Sequence, residues 1–329
     1  MSLATLRETR QEWGEIEADR HIWRHHNDTR ARHRIATGRD EGERAVVSQT
    51  PGALARALLM AMLVATPALM TPSTHAATAQ IVLVLALLAA IFTAIEYNSR
   101  YPGILEFRFA PPYNRLRFFT LAAILVALSF MLRGQVVPST ISVGLSRAAG
   151  HVADMVDFPY SPVRLMIVLV PSDADAAITG LLRRACALAY LLSLGMVLVF
   201  AIFVRFLGWP TRSGPFNVWI NLPLFDPTGG GDVLYRLRRD AVLNLVLGIL
   251  LPFAIPAIVR VGAAVIGPVS LADPQTLIWT VSAWAFLPAS LLMRGVAMRR
   301  IAAMIEDKRR RSYAAAQSHV EEGRALQGA

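Results

Sequence analysis

Six stretches of this chain, 53–71, 79–96, 118–137, 181–207, 241–260 and 276–294, are poor in charged side chains and rich in Ala, Leu, Val and Ile. These runs restrict the fold more than any other feature. A bilayer core of about 30 Å takes about 20 apolar residues in a helix, which satisfies its own backbone N–H and C=O groups. The chain has 329 residues, 54% hydrophobic and 17% charged, with a mean hydropathy of +0.45. That is too apolar for an ordinary soluble domain. The expected fold is an all-α integral membrane protein with about six transmembrane helices, spanning 53–298. A charged, partly helical segment 1–52 precedes it and a basic tail 299–329 follows.

Orientation follows from where the positive charge lies. With six spans both ends share a side, and that side carries 25 of the 33 basic residues. Lys and Arg are enriched in cytoplasmic loops, so both termini are expected in the cytoplasm. Only Lys308 is lysine, and the other 32 basic residues are arginine, the bias of a GC-rich bacterial genome. The expected location is therefore a bacterial inner membrane. Cys186 is the only cysteine, which excludes an intrachain disulfide and any multi-cysteine metal site.

Outside the spans, Thr5 and Glu8 have the spacing of a capping box. Leu6, Trp13, Ile16 and Trp23 then recur at near-heptad spacing, an apolar stripe for a partner or the membrane surface. His21 and His25 lie one helical turn apart but have no second ligand pair, so no metal is expected there. On the opposite side of the membrane, 141–157 suits an amphipathic helix. The apolar run 163–171 is too short to span and fits a re-entrant, interfacial or bundle-packed piece equally well. His151, Asp154 and Asp157 read better as a solvated face than as ligands.

The two cytoplasmic loops carry the most varied chemistry. Leu105 to Phe109 alternates apolar and charged residues, a strand pattern ended by Pro111 and Pro112. Residues 216–222 are rich in β-formers, so the two segments are expected to pair as a small sheet. Asp232 is the expected cap of the fifth spanning helix. Gly229 to Gly231, with Arg236, Arg238 and Arg239 behind them, offer flexibility and positive charge for a phosphate but lack the Lys and Ser/Thr of a P-loop. The carboxylate pairs Glu96 with Glu106 and Asp226 with Asp232 have no accompanying histidine in either loop. The candidate partner or headgroup contacts are Glu96, Tyr97, Arg100, Tyr101, Glu106, Arg108, Tyr113, Arg115, Trp219, Asp226, Arg236 and Arg239.

A transporter keeps polar groups at membrane depth. Here the fifth run offers only Asn244 and a break at Pro252 and Pro256, where a kink is expected. No catalytic set, cofactor or metal site is legible. The expected role is a non-enzymatic scaffold, assembly or accessory subunit of the membrane. It would bind a membrane protein or a second copy through its loops and termini, and anionic lipid headgroups through its arginines, but not nucleic acid. The alternatives are a small transporter or channel, and an enzyme acting on a lipid headgroup.

Overall fold

The computed structural model describes residues 51–71, 76–99, 103–170, 175–210, 221–225, 232–266, 271 and 273–327. The expectations for the capping box at Thr5, the histidines of the leader, Arg100, Tyr101, the strand residues 216–220, Asp226 and the glycine loop lie outside them. The chain forms two units, Met1–Arg56 and Ala57–Ala329. Of the first, only the start of one helix is described.

Eight helices are described: α1 (Pro51–Met70), α2 (Ala76–Asn98), α3 (Tyr113–Val136), α4 (Thr140–Val156), α5 (Pro162–Ile167), α6 (Ala176–Phe206), α7 (Val233–Ile266) and α8 (Pro274–Gln327). Six of them, α1, α2, α3, α6, α7 and α8, are long and apolar enough to cross a membrane. They fall on the six apolar runs, and the described residues contain no strand. Several helices overrun the runs that announce them. The extra turns are polar, as in the first two turns of α7, where Arg236, Arg238, Arg239 and Asp240 continue the helix beyond the apolar segment.

The second unit is organised around α8, the most buried of the spanning helices. Helices α3, α6 and α7 pack on it, and the contact with α7 is the most extensive. Two glycines make that contact close. A Cβ on Gly248 of α7 would lie 2.7 Å from the Leu292 side chain and 2.9 Å from the Pro288 carbonyl oxygen. A Cβ on Gly295 of α8 would meet Leu245 at 2.7 Å and the Ala241 carbonyl at 2.9 Å. In lipid, helices gain little from burying apolar surface against each other, so small residues that allow backbone approach decide where they associate.

The two prolines expected to break the fifth span sit inside a continuous α7. Pro256 has no N–H, so the carbonyl of Pro252 one turn earlier loses its helical partner. The indole Nε1–H of Trp284 on α8 donates to that carbonyl at 2.9 Å. Trp284 is buried and stacks on Tyr190 of α6, ring centres 5.6 Å apart. Three helices thus meet at the proline break, and a side chain replaces the missing backbone donor.

At the end of the bundle away from the arginine-rich loops, α4 is the expected amphipathic helix. Its start is fixed by a capping box between Ser139 and Ser142, and it packs on α3 and α6 through Ala149 and Ala153. The described part of the run, 163–170, packs on the bundle: α5 lies against α6 and α7 with Val163 and Met166 buried, and Arg260 donates to the Val168 carbonyl at 2.6 Å. Asp154 and Asp157 are ion-paired with Arg183 at 3.0 and 2.9 Å. In α2, Ile81, Leu83, Val84, Leu87 and Ile91 are exposed, the composition of a surface covered by lipid.

Candidate functional site

Leu105 to Phe109, between α2 and α3, was expected to be a strand, and it forms a turn. Phe107 has a positive φ of 55°, which takes the backbone out of the extended region and ends any strand alternation. The surrounding groups hold it there. The Glu96 carboxylate, at the end of α2, accepts from the backbone N–H groups of Gly103, Ile104 and Leu105 at 3.1 to 3.2 Å. Arg108 turns back to donate to the carbonyls of Glu96 and, at 2.8 Å, Ser99. A guanidinium on the terminal carbonyls of a helix also complements its dipole. Asn114, in the first turn of α3, donates to the Glu106 carbonyl at 2.7 Å.

The expected contact between the two loops exists in a different form. Asn221 supplies both acceptors: its backbone carbonyl takes the Phe107 N–H at 2.7 Å, and its side-chain oxygen takes the Phe109 N–H at 3.1 Å. One residue thus satisfies the alternate donors that a paired strand would have satisfied. The Trp209 indole, from the segment after α6, donates to the Ala110 carbonyl at 3.0 Å. Peptide bonds 111–112 and 209–210 are both cis to proline.

Beneath the loops lies an aromatic cluster. Phe107 is 4.4 Å from Tyr113 and 5.7 Å from Trp209, and Phe200 of α6 is 5.4 Å from Tyr113 and 5.0 Å from Trp209, all between ring centres. All four rings are buried. Glu106 was expected among the partner or headgroup contacts. It is 6% exposed and forms a two-pronged ion pair with Arg294 of α8, at 2.6 and 2.8 Å. Bidentate geometry fits the planar guanidinium, and a carboxylate this buried needs such a partner.

Among the described residues, one cation in this region has no such partner. The Arg117 guanidinium, on the second turn of α3, lies 5.7 Å from the Tyr113 ring and 5.9 Å from the Phe286 ring of α8. Its Nε is buried without a hydrogen-bond partner. One turn from Phe286 on the same face of α8, Ser290 is buried and its hydroxyl oxygen is also unpartnered. The next turn of that face brings Arg294 to Glu106.

The ends of α7 and α8 form a more exposed charge cluster. Glu306 pairs with Arg238 and, at 3.0 Å, with Arg310, and Asp232 pairs with Arg309 at 2.9 Å. Asp232 also caps α7 as expected, accepting from the Leu234 N–H at 3.2 Å. The hydrogen bond from Arg309, then that from the Leu234 N–H, holds the Asp232 carboxyl below the usual carboxylate range. Arg300 donates to the Trp209 carbonyl at 3.2 Å. Arg236 lies over the Phe225 ring at 5.3 Å, and Arg239 is 3.5 Å from Asp240.

Of the twelve expected contact residues, Glu96, Glu106, Arg108 and Tyr113 come together in the folded loop. Arg115 is exposed at the start of α3, Tyr97 is half-buried at the end of α2, and Arg236 and Arg239 belong to the α7 cluster. Arg100, Tyr101, Trp219 and Asp226 lie outside the described residues. Arg294, Asn221 and Trp209 were not among the expected contacts. A charged residue at the edge of an apolar run was the signal for Arg294, since such a charge in a membrane protein faces a partner.

The fold defines a multi-pass helical membrane protein. No family model, curated protein or solved structure matches the chain.

Proposed function

We propose that the chain is a non-enzymatic scaffold or accessory subunit of a bacterial inner membrane, with both termini in the cytoplasm, and that it presents the end of α8 to another membrane protein or a second copy of itself. One observation carries the reading. Helix α8 has 54 residues, about 80 Å at a rise of about 1.5 Å per residue, far more than a bilayer needs. From Asp307 to Ser318 every residue of it is exposed. A helix with no packed face is marginally stable in water unless something docks on it.

The folded loop supports the same reading. The carboxylates of Glu96 and Glu106, considered as a catalytic pair, are bound to the 103–105 backbone and to Arg294. Asn244, the polar group expected of a transport path, donates to the Asp240 carbonyl of its own helix at 2.7 Å. These side chains hold the fold in place.

The test compares the full chain with a version ending at Arg311, both purified in mild detergent and sized on native gels after cross-linking in cells. The full chain is expected in a discrete complex, with itself or with one partner, that the shortened chain fails to form. If the two chains run alike, the reading is wrong.

A further inference from the structure

We infer that Arg117 and Ser290 form a binding site for the phosphate of an anionic phospholipid, between α3 and α8 at the arginine-rich end of the bundle. The site stands independently of the scaffold reading. Arg117 is half-buried, and among the described residues no carboxylate pairs with it and its buried Nε meets no hydrogen-bond acceptor. The nearest carboxylate of the loop, Glu106, is engaged at both oxygens by Arg294. The guanidinium instead lies between the rings of Tyr113 and Phe286.

Ser290 supplies the second observation. It is 7% exposed, its hydroxyl is unpartnered, and it lies on the face of α8 that carries Phe286 on one side and Arg294 on the other. The guanidinium lies at Phe286 and Ser290 is one turn further along that face of α8, so an oxyanion held there would supply the acceptors that the buried Arg117 nitrogen and the buried Ser290 hydroxyl lack among the described residues.

The depth selects the ligand. Arg117 immediately precedes the apolar run that begins at Phe118, and a side chain there reaches the level of lipid phosphates. The planar guanidinium matches two phosphate oxygens, and the flanking aromatic and apolar residues suit the glycerol and first methylenes of a lipid better than a free ion.

The full-length protein in detergent would be titrated with phosphatidylglycerol, with phosphatidylcholine and with inorganic phosphate, and bound lipid counted by native mass spectrometry. The wild type is expected to retain phosphatidylglycerol in preference to phosphatidylcholine. Arg117→Gln should weaken that retention by about tenfold or more, the scale of one lost charge-assisted hydrogen bond. Ser290→Ala should weaken it less, and Arg117→Lys should fall between, since it keeps the charge and loses the fork. Arg147→Gln, an exposed arginine of α4, is the control and should change nothing.

Displacement of the lipid by millimolar inorganic phosphate would overturn the lipid assignment in favour of a free anion. Retention by Arg117→Gln equal to wild type would overturn the site altogether. Should Arg117→Gln not purify as a folded protein, unchanged retention in both Ser290→Ala and Arg117→Lys would have the same force.

Discussion

At the scale of single residues, the fold depends on a few polar groups that replace missing partners. Trp284 stands in for the N–H that Pro256 lacks. Trp284→Phe should therefore destabilise the protein by about 1 to 3 kcal/mol, the cost of a buried carbonyl left without a donor, read as a lower unfolding midpoint in detergent. Pro256→Ala restores a backbone donor, so in that background Trp284→Phe should cost less. Additive effects in this double-mutant cycle would show that the indole bond contributes nothing specific. Glu106→Gln leaves Arg294 half-buried beside a neutral group, and a loss of about 3 kcal/mol is expected on the same assay. Asp232 titrates in the opposite sense to a raised group. With its folded value depressed, its pairing with Arg309 is fully formed above the ordinary carboxylate pKa of about 4 and is lost as pH falls through the lower folded value. A spin-label distance between residues 233 and 312 should hold from pH 8 to pH 5 and lengthen only below about pH 4. Lengthening near neutrality would contradict the assignment.

At the scale of elements, the helices were legible because length and apolarity suffice to define a spanning helix. Their pairing was not. Gly248 and Gly295 look unremarkable among Leu and Ala, and their part appears only when α7 and α8 are brought together. Gly295→Ala should place a methyl group against the Ala241 carbonyl and cost about 1 to 3 kcal/mol, while Gly144→Ala, at a glycine with open space around it, should cost nothing or stabilise α4. Equal effects of the two substitutions would remove the close-packing argument. The loop before α3 shows the other limit. Leu105 to Phe109 alternates as a strand does, yet Glu96, Asn114, Asn221 and the aromatic cluster take up its backbone groups and its central ring one by one, and long-range partners override the local pattern. The run 163–171 was ambiguous for a similar reason, since its apolar residues serve lipid and bundle equally well until α6 and α7 are seen to cover them.

At the scale of the whole molecule, the proposed topology has an even number of membrane crossings and puts the arginine-rich loops and the end of α8 in the cytoplasm. The six helices long and apolar enough to cross a membrane could be read from composition; the side rests only on the distribution of arginine. The lone, buried Cys186 makes a direct measurement simple. In a Cys186→Ser background, single cysteines at Ser312, beyond the last span, and at the exposed Tyr160, in the turn before α5, would be challenged in intact spheroplasts with a membrane-impermeant maleimide. Labelling is expected at 160 in intact spheroplasts and at 312 only after lysis. Labelling of 312 in intact spheroplasts, or of neither position until lysis, would contradict it.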